Sequence, residues 1–165
     1  EWGWNLLGDA EQDFVRKLAV FSGGWTLQAA QALGIVDPLE LTAALSKKSF
    51  VVVDLQAAQE TRYSFHEVIR AYALEKLAEA GEEKAQRDLH LEYYLQLARQ
   101  FEPALHGVDQ RFWLERLFLE RHNIRAALEW AARTNVHAGL YLSIRLRTFW
   151  ECCDLPEEKH WLLML

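Results

Sequence analysis

The sequence contains few cysteines, and the two that it has are adjacent. Cys152 and Cys153 follow each other directly, and neighbouring cysteines are poorly placed to form a disulfide with each other. This usage excludes a disulfide framework and is typical of a protein in a reducing compartment. We therefore predict two small core thiols without a redox or metal role.

Long apolar runs are also absent. No stretch approaches the roughly 20 residues that a membrane span needs, and Glu1–Asn5 lacks the basic start and apolar core of a signal peptide. The sequence begins without Met and stops within an apolar pattern at 161–165. We expect a piece of a longer cytoplasmic protein that makes no membrane contact.

Positive charge is in short supply. The chain has 18 Lys and Arg against 24 Asp and Glu, a formal net charge of −6. Direct nucleic-acid binding by this segment is therefore not expected, because Lys and Arg contacts to phosphates supply most of such affinity.

Recognisable catalytic sets are missing too. No Ser-His-Asp or paired-carboxylate arrangement stands out, and Gly23-Gly24 lacks the Lys-Ser/Thr ending of a phosphate loop. The histidines do not recur at metal-ligand spacing; besides His66 they are His90, His106, His122, His137 and His160. We predict that this segment is not an enzyme and holds no metal or cofactor of its own.

The composition otherwise describes a folded protein. The 165 residues are 51% hydrophobic and 12% aromatic, enough for one good domain or two small ones. The aromatic content exceeds the needs of a small core, and we predict that a tryptophan series packs between helices, with a ligand-binding groove as the alternative. That series is Trp113, Trp130, Trp150 and Trp161.

Helix signals dominate the first 48 residues. Asp9 with Gln12 resembles a capping box, Thr26 can cap a second helix that Gly34 ends, and Asp37 before proline can cap a third. These signals predict three short helices, the last over 39–46.

The periodicity then changes twice. Phe50–Val53 is β-branched and short, so it predicts a buried strand, and Arg62–Phe65 alternates as its partner. A helix from about Glu67 to Ala80 follows, with Gly81 past its end. Three helices, a β-ribbon and a helix in this order look like a winged-helix domain, which we place at residues 1–81.

The sequence from Glu82 onward is helical throughout. Leu89, Tyr93, Leu97 and Phe101 predict one face of a helix that ends at Pro103. Later helices are predicted after Asp109, from His137 toward Cys153, and from Glu157 onward. We therefore predict a mainly α protein in which antiparallel helical-repeat (TPR-like) helices fill residues 82–165, a domain truncated at its C-terminus.

Four segments together resemble one family. Leu18–Trp25 (LAVFSGGW) and Tyr63–Ala73 (YSFHEVIRAYA) are similar to segments that follow the ATPase core in bacterial signal-transduction ATPases of the NB-ARC/STAND class. His90–Tyr94 (HLEYY) and Glu120–Trp130 (ERHNIRAALEW) resemble the start of that family's helical-repeat region. The resemblance spans nearly the whole chain and is closest to the transcriptional-regulator type.

The resemblance implies a switch. In the family, an upstream nucleotide-binding domain of the same chain closes with the winged helix around ADP, and exchange for ATP with Mg²⁺ opens the clamp. Only His66 inherits the contact to the β-phosphate of ADP; Phe65 and Glu67 stand where the family motif has Met and Asp. The helical region would receive a protein or small-molecule inducer.

The chemistry of His66 suits such a contact. A neutral imidazole can donate one N–H to a phosphate oxygen, and a protonated ring adds charge assistance. The simpler interpretation is a helix-entry residue satisfied by nearby backbone. Beyond the switch, the sequence leaves open a DNA-binding winged helix that reads DNA through residues 39–46, and a plain helical scaffold for protein interactions.

Overall fold

The protein is mainly helical, as the sequence predicts. The computed structural model describes residues 3–55, 60–105, 107–153 and 164, and its one sheet within them is a two-stranded antiparallel ribbon. The chain divides into two compact units, Glu1–Leu89 and His90–Leu165. The predicted boundary after Gly81 stays a prediction. In the described residues no helix is both long and apolar enough to cross a membrane.

The first unit has the element order of a winged helix. A short 3-10 turn precedes three helices, a ribbon and a fourth helix: α1 Asp9–Leu18, α2 Leu27–Ala32, α3 Pro38–Lys47, β1 Val51–Asp54, β2 Arg62–Phe65 and α4 Glu67–Glu79. In the ribbon Val51 lies opposite Phe65, and Asp54 lies opposite Arg62. The sequence predicts a polar tip over 54–60 between the two strands, and residues 56–59 of it lie outside the described residues.

The N-cap of helix α1 lies one residue before the predicted cap, Asp9. Gly8 is the N-cap, and its amide donates to a carboxylate oxygen of Glu11 at 2.9 Å. The predicted box of Asp9 and Gln12 is therefore wrong. Gln12 instead donates from its side-chain amide to the carbonyls of Trp4 and Leu7, so that it fixes the turn before the helix.

The next two helix starts differ from each other. The Thr26 hydroxyl accepts from the Ala29 amide at 3.2 Å, which confirms the predicted cap of α2, and Gly34 ends that region at φ +83°. Asp37 makes no side-chain cap bond, and its own backbone is left-handed at φ 49°. Proline at the first position of α3 is present as predicted.

Aromatic rings fill the core of the first unit. Trp25 is 1% exposed, and its ring centroid lies 4.5 Å from that of Phe65 and 6.4 Å from that of Phe14.

The prediction of a buried first strand is wrong beyond Val51, because Val52 and Val53 are 41% and 39% exposed. Strand β1 lies at the edge of the ribbon and pairs on one side alone within the described residues.

The second unit is built from helices. Its elements are the later part of α5 Glu83–Ala104, then α6 Gln110–Thr134, α7 Val136–Arg145 and α8 Arg147–Cys152. Two predictions are corrected here. Helix α5 continues through Pro103, and Leu89 is exposed, since the buried face of α5 is set by Tyr94, Ala98 and Phe101. The single helix predicted toward Cys153 is interrupted at Leu146.

The tryptophans and cysteines occupy unequal positions. Trp150 is buried, and half-buried Trp113 packs against Phe101 with ring centroids 5.0 Å apart and the rings tilted by 52°. Cys152 is exposed near the end of α8, so the prediction of two core thiols is wrong for this residue. Burial, and secondarily the neighbouring thiol, raise the pKa of Cys153. Trp161 and most of the helix predicted from Glu157 lie outside the described residues.

Candidate functional site

His66 occupies the junction between β2 and α4. It is the N-cap residue of α4 with an extended backbone, and its carbonyl accepts from the Arg70 amide at 3.0 Å. The imidazole is exposed and makes no side-chain cap bond. The ring is therefore accessible to a molecule or module that docks against this junction.

Arg70 ties the first turn of α4 to the end of α1. Its guanidinium binds both carboxylate oxygens of Glu67, at 3.0 and 2.7 Å, and a third nitrogen lies 3.4 Å from the carbonyl oxygen of Ala19. The hydrogen bond from Arg70 lowers the pKa of Glu67. Both side chains thus serve an intradomain pair beside His66.

The glycine pair after α1 is fixed to the strand that leads to His66. Trp25 and Tyr63 exchange backbone hydrogen bonds of 2.7 and 2.9 Å. A Cβ on Gly24 would lie 2.5 Å from the Tyr63 carbonyl oxygen, and Gly24 adopts φ +76°. The buried Arg62 side chain donates to the carbonyls of Gly23 and Gly24 at 3.1 and 3.3 Å.

These contacts exceed what the sequence predicted for the segment. From the sequence we interpret Gly23-Gly24 as a helix terminator, and in the structure Gly24 also permits close backbone approach. The role of Arg62 was missed, because its partners lie 38 and 39 positions away in sequence. No local spacing signals such a pair, although a charged residue in an otherwise alternating strand is a hint.

Two general properties of a helix start favour an anion at this junction. The start of α4 carries the positive end of the helix dipole, and first-turn amides have no carbonyl partner within the helix. His66, the predicted contact to a nucleotide phosphate, is exposed at this junction, and its nucleotide role stays a prediction. In the described residues no group of three or more His, Cys, Asp and Glu side chains could hold a metal ion; His106 and His160 lie outside them.

Helix α3, the predicted DNA-reading element, presents few polar groups. Thr42 is buried, and its hydroxyl donates to the Pro38 carbonyl, which removes it from the surface. Leu39 is 61% exposed, and Glu40 is exposed in the first turn. Lys48, just past the helix, pairs with Glu11 at 2.7 Å. The surface of α3 is therefore apolar and acidic in its first half.

Two residues of the Glu120–Trp130 segment, Glu120 and Asn123, belong to a buried polar cluster. Glu120, 6% exposed on α6, accepts from the Tyr94 hydroxyl of α5 at 2.5 Å and from the Asn123 amide at 2.9 Å. His90 packs against Tyr94 with ring centroids 4.9 Å apart and the rings tilted by 56°. These residues hold α5 and α6 in register, which is a structural role.

Comparison with known proteins yields relatives of much greater length. A Mycobacterium tuberculosis protein and its Mycobacterium bovis counterpart are each 36% identical over 158 residues. The match covers 91% of this chain and 18% of each relative. Both bear the provisional name HTH-type transcriptional regulator. This chain is similar to part of those proteins.

A shorter match has no functional name. An uncharacterized protein of Mycobacterium tuberculosis is 39% identical over 92 residues, 52% of this chain and 23% of the relative. No family model and no solved structure matches the chain. The chain spans about a fifth of the length of its longer relatives. The names of those relatives therefore describe proteins with much additional sequence.

Proposed function

We propose that this chain is a regulatory segment of an HTH-type transcriptional regulator. The similarity over 91% of the chain carries the proposal, because both longer relatives have that provisional name. The winged-helix order of the first unit agrees with a regulator of this kind. The segment itself performs no catalysis in this proposal.

Direct DNA binding by the winged helix is the role that the relatives' names support more directly. A helix-turn-helix is a DNA-binding motif whose second helix enters the major groove, and none of the printed names refers to an ATPase. The corresponding helix here is α3. The exposed residues Leu39 and Glu40 of this helix argue against base reading, because base reading relies on Arg, Lys, Asn and Gln.

Duplex binding tests this role. Fluorescence anisotropy with a labelled duplex of mixed sequence should show binding at 50 mM salt that falls steeply by 200 mM, since phosphate contacts release counterions. Lys47→Gln on α3 should weaken it, whereas Lys84→Gln, an exposed lysine on α5, should not. No binding at 50 mM salt would remove the DNA-reading role from this segment.

A nucleotide-state clamp is the second role, and the position of His66 favours it. In this proposal an upstream nucleotide-binding domain of the same protein holds ADP, and the exposed imidazole donates to its β-phosphate from the start of α4. The bound nucleotide with Mg²⁺ would supply the switching chemistry, and this chain would supply the closing contact. A contact worth about 1–3 kcal/mol changes nucleotide affinity about 5- to 150-fold.

Nucleotide retention by the full-length protein tests the clamp. His66→Ala should release labelled ADP at least about fivefold faster, and His137→Ala, which alters another exposed histidine, should leave the release rate unchanged. Equal release from all three proteins would exclude His66 from the mechanism. A GxxxxGK[ST] phosphate loop in the upstream sequence would support the clamp independently.

The helical unit completes the proposal as an interaction surface. Antiparallel helices present extended faces to partners, and we propose that a protein or a small-molecule inducer binds there. A plain scaffold would instead show neither duplex binding nor any effect of His66→Ala on nucleotide release.

A further inference from the structure

Two guanidinium groups converge on one tyrosine in the helical unit. Arg99 of α5 donates from Nε to the Tyr141 hydroxyl at 3.0 Å, and its Cζ lies 5.3 Å from the ring centroid. Arg145, one turn after Tyr141 on α7, places its Cζ 4.4 Å from the same centroid. Residues 42 positions apart in sequence are thus assembled into one cationic cluster.

The charge of this cluster is incompletely balanced. Glu102 forms an ion pair with Arg145 and is 43% exposed. The Nε of Arg145 is buried and has no hydrogen-bond partner in the described residues. Arg99 is exposed, and of its guanidinium nitrogens it is Nε that donates a hydrogen bond to Tyr141. Among the described residues, Glu102 pairs with Arg145, and no ion pair to a carboxylate is seen for Arg99.

The ring of Tyr141, which both cations contact, limits their motion. Cation–π contacts and the hydroxyl bond orient both guanidinium planes, so less side-chain entropy remains to be lost when an anion binds. A guanidinium offers paired N–H donors that match the two oxygens of a carboxylate. The cluster is consequently suited to planar, bidentate recognition of a carboxylate.

We propose that Arg99, Tyr141 and Arg145 form a docking site for the carboxylate side chains of an acidic peptide segment in a partner protein. The inference rests on the proposed role of the helical unit as an interaction surface, and it specifies the chemistry of that partner. Charge complementarity supports this occupant.

Peptide binding to this 165-residue chain tests the site. A fluorescein-labelled hexaglutamate peptide should bind saturably at 50 mM salt and more weakly at 200 mM salt. Arg99→Gln should weaken binding about three- to tenfold, as expected for a charge-assisted contact at a partly exposed site. Arg111→Gln is the matched control, because it removes the same charge from an arginine of the same unit that is 93% exposed.

Each remaining outcome has a definite meaning. Absence of saturable binding, or equal weakening by Arg99→Gln and Arg111→Gln, overturns the proposal. Full competition by millimolar inorganic phosphate would indicate a general small-anion site and would also overturn it. Arg145→Gln should weaken binding as well, with circular dichroism as its folding control. The peptide assay involves neither nucleotide nor DNA, so its failure is separate from failure of the switch or of duplex binding.

Discussion

The two units use polar groups in opposite ways. In the first unit, Arg62 donates to the carbonyls of Gly23 and Gly24, and Arg70 donates to the Ala19 carbonyl as well as to the Glu67 carboxylate. In the second, the buried carboxylate of Glu120 joins side chains of two helices. Loops need their carbonyls satisfied, whereas helices already satisfy theirs and gain register from side-chain networks. Close contacts to loop carbonyls thus hold the candidate site of the first unit, whereas a buried side-chain cluster joins two helices of the second.

The largest expected effect tests the backbone side of this comparison. Gly24→Ala should lower the free energy of unfolding by about 3 kcal/mol, because left-handed strain adds to a clash with a rigid carbonyl. Gly34→Ala is the matched control: it has a similar φ of +83°, but nothing lies within 4 Å of its added Cβ. We expect it to cost about 1 kcal/mol.

Urea unfolding with hydrogen exchange measures the difference, since exchange reports each unit separately. Equal losses for the two glycine variants would show that backbone conformation alone matters. The contact between Gly24 and the Tyr63 carbonyl would then carry no special weight.

The second-largest expected effect tests the buried side-chain cluster of the second unit. Glu120→Ala should destabilise the second unit by about 2–3 kcal/mol, because it leaves a cavity and two buried polar groups, Tyr94 and Asn123, without this acceptor. Glu120→Gln keeps the shape and should cost less. Glu115→Ala, a 58% exposed position on the same helix, is the control and should change stability by less than about 0.5 kcal/mol.

Exchange protection of α6 gives the measurement. If Glu120→Ala and Glu115→Ala had the same effect, the buried cluster would not set the register of α5 and α6. The contrast between the two units would then rest on the first unit alone.

Local signals explain which features were predictable. The β2 strand, the start of α4 at Glu67 and the Thr26 cap depend on neighbouring residues, and the structure confirms them. The exposure of Val52 could not be predicted in this way, because a β-branched run has the same pattern in a central strand and at an edge.

The long-range contacts of the site were equally hidden. Arg70 meets a carbonyl 51 positions earlier, and the convergence of Arg99 with Arg145 needs both helices in place. Sequence reasoning singled out His66 through a family resemblance, and its place at the start of α4 is a local feature. The long-range contacts of Arg62 and Arg70 near His66 could be seen only in the folded chain. The same is true of the contacts that Arg99 and Arg145 make to Tyr141.

The smallest expected effect sharpens the comparison through pH. The Lys48 hydrogen bond, with a contribution from the Gly8 amide, lowers the pKa of Glu11. A depressed carboxylate pKa gives stability that is present above the unfolded pKa and is lost as pH falls through the folded pKa. Glu11→Gln should therefore remove up to about 1 kcal/mol at pH 7 and have little effect in acid.

Glu67→Gln provides the comparison within the same unit. Arg70 also lowers the pKa of Glu67, but that side chain is 72% exposed, against 14% for Glu11. Solvent screens the more exposed pair more strongly, so its loss at pH 7 should be smaller. Unfolding monitored from pH 7 to pH 3 should rank Glu11→Gln above Glu67→Gln. The reverse order would mean that the link between α1 and Lys48 matters less to the first unit than the bond that holds the start of α4.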